Sequence, residues 1–126
     1  MTADDPISQA SLSDLETFKG AELTSVTVWK FGVTLAFNNE PRSVTIESGA
    51  EFRTQGRTEI YNQEIIVAFG ARILSLMNRR VVELKAAEDK ILSFEFDDGS
   101  TLTLRPDDTG TESYIVNLPN GSVFVG

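Results

Sequence analysis

The chain has 126 residues, a single-domain length, with 40% apolar and 24% charged residues, which argues against global disorder. It contains no cysteine and no histidine, which excludes disulfides, thiolate or imidazole metal sites and Ser-His-Asp chemistry. The net charge of −8 divides into −4 over residues 1–50, +1 over 51–90 and −5 over 91–126. Ends this acidic argue against binding a nucleic-acid backbone, which needs Lys and Arg against phosphates, and favour a basic partner.

Residues 1–11 are polar and expected to fray. They show no basic and apolar leader pattern, and no run of the chain approaches a membrane span, so a cytoplasmic protein is expected. Ser13-Asp14-Leu15-Glu16 has the form of a capping box, and Gly20 stands where a glycine ends a helix, so a short helix is expected at about 13–19. Val26-Thr27-Val28 and Val33-Thr34-Leu35-Ala36-Phe37 alternate with period two around a turn near Trp29-Lys30-Phe31-Gly32, the pattern of a hairpin. After Asn38-Asn39-Glu40-Pro41 the alternation resumes at Val44-Thr45-Ile46. Residues 47–64 are weakly patterned and read as a connector with one short strand near Phe52 or Ile60.

Ile66, Phe69, Ile73, Leu74 and Met77 fall at helical spacing, predicting a second helix at about 67–77, although Gly70 weakens it. Strand alternation returns at Val82-Glu83-Leu84, at Leu92-Ser93-Phe94-Glu95-Phe96 after a turn at 87–90, and at Thr101-Leu102-Thr103-Leu104. A last hairpin is expected over about 112–125, turning at Pro119-Asn120-Gly121.

Sliding the chain on itself by 58 residues sets Phe18 on Leu76, Leu23 on Val81 and Val26 on Leu84. A one-residue slip sets Val33, Leu35 and Phe37 on Leu92, Phe94 and Phe96, and its reversal sets Val44 and Ile46 on Leu102 and Leu104. The expectation is one α+β, mostly β domain over residues 1–126. It holds two tandem helix–β-meander repeats, residues 13–48 and 67–105, with antiparallel strands. Inward-facing parity then requires the cross-strand pairs Leu35–Val44, Val33–Ile46, Phe94–Leu102 and Leu92–Leu104, with Gly99 left-handed in a three-residue loop.

Candidate chemistry is sparse. Asp97-Asp98-Gly99 lacks the oxygen spacing of a calcium loop and reads as a hairpin turn. Asp107-Asp108-Thr109-Gly110-Thr111-Glu112 carries several hard oxygens, but Asx-type turns explain it. Arg79-Arg80 with Arg72 forms a basic spot suited to the C-terminal end of the second helix. No catalytic, metal or cofactor residues are assigned, and no enzyme is expected. Trp29, Tyr61 and Tyr114 are the aromatics to watch for stacking or an interface.

The twice-occurring Val-x-Leu-x-Phe-type hairpin strand, Glu112-Ser113-Tyr114-Ile115-Val116 and Leu118-Pro119-Asn120-Gly121 resemble an uncharacterised family of small bacterial proteins with an E-x-(W/Y) element and a closing P-x-G turn. In size, acidity and β content the chain is also similar to cytosolic immunity proteins that neutralise bacterial toxins. The resemblance implies a binding protein and brings no catalytic residues. On this reading Glu95, Asp97, Asp98, Asp107, Asp108 and Glu112 form an acidic contact edge for a basic protein such as a toxin, with Trp29 or Tyr114 as anchor. The alternative is a small-ligand sensor or regulatory domain, dimeric through an exposed edge strand.

Overall fold

The computed structural model describes residues 15–38, 42–61, 66–87, 90–106, 113–118 and 123–126. Their strands are β1 (Leu23–Trp29), β2 (Gly32–Phe37), β3 (Arg42–Ile46), β4 (Ala50–Thr54), β5 (Arg57–Ile60), β6 (Val81–Ala87), β7 (Ile91–Phe96), β8 (Thr101–Leu104), β9 (Tyr114–Asn117) and β10 (Val123–Val125). One helix, α1 (Ile66–Ile73), stands between β5 and β6. The strands form two five-stranded sheets, ordered β1-β2-β3-β9-β10 and β5-β4-β8-β7-β6, antiparallel throughout. The chain is therefore α+β and mostly β, as its alternation indicates.

Each sheet joins a three-stranded meander from one half of the chain to a hairpin from the other. The meander β1-β2-β3 takes in β9-β10 through the β3–β9 pair, and β8-β7-β6 takes in β4-β5 through the β4–β8 pair. Inward residues meet in the register that parity requires: Leu35 opposite Val44, Val33 opposite Ile46, Phe94 opposite Leu102 and Leu92 opposite Leu104. The turn after β7 also has the expected geometry. Gly99 sits at φ +88°, Phe96 N–H donates to the Ser100 carbonyl, and Asp98 Oδ1 accepts from Ser100 N–H.

Two expectations need correction. The helix at about 13–19 is, over its described residues, a 3-10 turn at Glu16–Phe18, while Ser13 and Asp14 lie outside the described residues. The helix at about 67–77 is α-helical only as far as Ile73 and tightens into a 3-10 turn at Leu74–Leu76. The segment read as a connector instead holds the hairpin β4–β5. Its turn at Gln55-Gly56 has positive φ at both residues, 50° and 79°, as a two-residue hairpin turn demands, and glutamine gives little notice of that conformation. Most of β5 is exposed, so its sequence carries no apolar alternation. The turn at Pro119-Asn120-Gly121 lies outside the described residues, although β9 and β10 pair as a hairpin.

The core lies between the sheets, where the inward residues of β2, β3, β7 and β8 are buried together with Phe52, Tyr114 and Val116. Phe18 plugs its centre. Its ring meets Phe37 of one sheet edge-to-face at 5.3 Å and Phe94 of the other at 5.5 Å, with the Arg42 guanidinium 5.6 Å from its centroid.

The halves touch at an antiparallel bridge between Glu22 and Arg80, and the bonds around it come in matched pairs. Leu23 N–H donates to Arg79 O and Val81 N–H to Ala21 O, while Gly20 N–H donates to Val81 O and Asn78 N–H to Leu23 O. Ala21-to-Phe18 and Arg79-to-Leu76 backbone bonds close the two 3-10 turns, and Gly20 and Asn78 both take positive φ. β1 and β6 each begin with a register shift against their neighbours, between Leu23 and Ser25 and between Val81 and Glu83. Within each pair the residues stand 58 apart.

Candidate interaction surface

The exposed apolar residues gather at the far end of β1. Strand parity turns Val28, opposite Val33, towards the helix-covered face, and Trp29, opposite Gly32, to the other side. Gly32 leaves space for that indole, which lies 3.3 Å from where a Cβ would stand. Trp29 and Phe31 then meet edge-to-face at 5.9 Å, Phe31 is 51% exposed, and Lys30 Nζ stands 5.3 Å from the Phe31 centroid. Tyr61 supports the tip from below. Its hydroxyl donates to Phe31 O at 3.4 Å and its ring packs edge-to-face on Phe69 of α1 at 5.3 Å.

Helix α1 buries Ile66, Phe69, Gly70 and Ile73. Gly70, which weakens the helix on propensity, is where Val28 comes so close that a Cβ would overlap it. Val67 and Leu74 flank Gly70 at helical spacings of three and four, which places them along the same stripe beside β1. They remain outside the core, with Val67 74% exposed and Leu74 50%. Ile60 is also exposed but sits opposite Glu51 in register, on the outer face of the second sheet, and is not part of this cluster.

The acidic contact edge does not come together among the described residues. Glu95 pairs with Lys85 at 3.2 Å, Asp97 lies 3.9 Å from Arg79, and Asp98 is used by its own turn. Asp97 N–H donates to Arg80 O, beside Leu23, whereas Trp29 ends the same seven-residue strand, about 20 Å away at ~3.3 Å per residue. Asp107, Asp108 and Glu112 lie outside the described residues. Tyr114 is fully buried, its hydroxyl donating to Lys90 O and its ring stacked on Phe124, so it packs the core and offers no exposed anchor. Burial pushes the Tyr114 hydroxyl well above its ordinary pKa. Burial, and secondarily the Glu47 carboxylate, raises that of Tyr61.

All eleven Lys and Arg lie among the described residues, but only nine of the nineteen acids do. The body of the sheets is therefore close to neutral. The supposed basic spot is also dispersed: Arg72 faces Glu59 at 3.6 Å, Arg79 faces Asp97, and Arg80 bridges Glu22 at 3.2 Å and the Gly20 carbonyl at 3.1 Å. It does not cap α1.

Two shallow recesses are lined by described residues. One, of about 180 Å³, lies on the outer face of the second sheet among Glu51, Arg53, Ser93, Thr101 and Arg105. The other, of about 100 Å³, lies against Leu15 and Leu84. Neither has an aromatic wall. Among the described residues no group of three acids could hold a metal ion, and no helix is long and apolar enough to cross a membrane.

Val28, Phe31, Val67 and Leu74 escaped the sequence reading. The signal that finds Val28 and Phe31 is the comparison of the two halves at the established offsets. It sets Ala86 on Val28, Ala87 on Trp29 and Lys90 on Phe31. Comparison with protein-family models, curated proteins and solved structures gives no match to this chain.

Proposed function

We propose that the chain is a non-enzymatic protein-binding module, built by internal duplication, that holds its partner with the β1–β2 tip and the adjoining stripe of α1. The matched bonds 58 residues apart support the duplication, as do the parallel registers of the two meanders. Further matched pairs lie beyond it: Thr34 with Thr45 and Ser93 with Thr103 make hydroxyl contacts at 3.2 and 3.3 Å on corresponding strands.

The observation that carries the binding role is the contrast between the two tips. Both are braced alike, Tyr61 donating to Phe31 O and Tyr114 to Lys90 O. One tip nevertheless exposes Val28, Trp29 and Phe31, where the other has Ala86, Ala87 and Lys90. The scaffold folds without large apolar groups at these positions, so their presence on one tip speaks for a partner. Exposed clustered aromatics of this kind mark protein interfaces.

The net charge of −8 favours a basic partner through long-range steering, and an immunity-type inhibitor of a basic bacterial toxin is the most concrete form of the proposal. A ligand sensor has less support, since recesses of 100 and 180 Å³ fall below the ~300 Å³ of an ordinary small-molecule site. The test is affinity capture from the native lysate at low and high salt, using the wild-type chain and a Trp29→Ala/Phe31→Ser variant. A protein retained by the wild type and lost from the variant supports the reading. Partners held equally by both would refute it.

A further inference from the structure

The edges of the two sheets are unequally protected. Among the described residues the edge strands are β1 and β10 in one sheet and β5 and β6 in the other. An open edge presents unpaired N–H and C=O groups, and proteins guard it with charges, proline, bulges or shortness. β10 has three residues, and β5 carries Arg57 and Glu59. β6, the counterpart of β1, carries Glu83 and Lys85, which lie within ion-pair reach of Lys19 and Glu95. β1 reads Leu-Thr-Ser-Val-Thr-Val-Trp, with no charge and no proline over seven residues. Both β1 and β6 start with a bulge, so the bulge does not distinguish them. Past it, Ser25, Thr27, Val28 and Trp29 are all exposed, and β1 pairs with β2 alone.

We infer that the open edge of β1 is a strand-addition site, and that its occupant is β1 of a second copy of this chain, paired antiparallel about Val26. Charge selects this orientation. β1 is bounded by Glu22 at one end and Lys30 at the other. Antiparallel pairing brings the Glu22 end of one copy to the Lys30 end of the second, at both ends of the ribbon. Parallel pairing would set like charges together, which is unfavourable across strands. Among the described residues Lys30 has no ion pair of its own and is available for that contact. β-Branched residues at Val26, Thr27 and Val28 suit the pairing, and the two five-stranded sheets become one continuous ten-stranded sheet.

Sedimentation velocity of the full chain from ~10 µM to ~1 mM tests the inference, because an edge-only contact belongs to the weak, transient class. The weight-average mass is expected to rise from 13.8 kDa towards twice that value. Thr27→Lys, which guards the edge, and Lys30→Glu, which sets carboxylates against Glu22, should each weaken the dimer about tenfold. Both sites are exposed, and unchanged thermal unfolding confirms that the variants fold. A mass that stays at 13.8 kDa throughout overturns the inference, as does a dimer indifferent to both substitutions. Either result leaves the tip reading to the capture experiment.

Discussion

Phe18 lies where the two sheets meet, and replacing it with alanine measures how far that contact holds them together. The side chain is fully buried, so Phe18→Ala removes its transfer energy and leaves a cavity, about 3–5 kcal/mol for a buried phenylalanine. The ring also makes edge-to-face contacts at 5.3 and 5.5 Å, each contributing about 0.5–1.5 kcal/mol beyond buried area. The loss should therefore lie near the top of the range, at about 4–5 kcal/mol, a large part of the ~5–15 kcal/mol of an ordinary domain. In urea, with a slope of about 1–3 kcal/mol per molar, the midpoint should fall by roughly 2 M. Leu76→Ala, at the corresponding position of the second half, removes no ring contacts and should lose less, about 2–4 kcal/mol. A Phe18→Ala loss below about 2 kcal/mol, or one no larger than that of Leu76→Ala, would refute the placement of this ring as the plug between the sheets.

Tyr114→Phe should destabilise the fold by about 1–2 kcal/mol in thermal or urea unfolding, because the Lys90 carbonyl loses its donor inside a packed region. Tyr61→Phe, whose hydroxyl contact is a long 3.4 Å, should have a smaller effect. Alkaline stability follows from the raised pKa values of both tyrosines. Their protonated forms are favoured in the native state, so stability is intact below the ordinary value of 10.0 and falls above it, as the unfolded chain ionises first. Urea titrations between pH 8 and 12 should show that decline, and Tyr114→Phe should flatten it. An unchanged slope would count against burial of the hydroxyl. Trp29→Ala should cost less than about 1 kcal/mol in the same titrations, since the indole is part-exposed at a hairpin tip. A larger loss would assign Trp29 to packing rather than recognition.

The meanders were legible because each half shows one apolar face on three successive strands, so parity alone set Leu35 against Val44 and Phe94 against Leu102. β4 and β5 were not. β4 offers only Ala50 and Phe52 to the core, and β5 is an exposed edge whose residues face water or ion pairs. The exchange of hairpins between sheets has no local signature either, because β3 and β8 read the same whichever strand lies beside them. The acidic surface misled for a related reason. Sequence counts charges but does not show that Glu95 and Asp97 face Lys85 and Arg79, or that they stand a strand's length from Trp29. Tyr114 was taken for a surface anchor because nothing in its neighbourhood tells that Gly126 and Phe124 enclose its ring. The pair of positions is complementary: one half has Ala50 with Tyr61, the other Tyr114 with Gly126, and each supplies one hydroxyl to a hairpin carbonyl.

Recognition through the β1–β2 tip is tested most directly by isothermal titration of the captured partner into the wild-type chain and into the Trp29→Ala/Phe31→Ser variant, at matched salt. Loss of both aromatics is expected to weaken binding by about thirtyfold or more, the range of an interface hot spot. Equal affinity for the two proteins would contradict the account, and would move the search for the binding surface to the acidic segments.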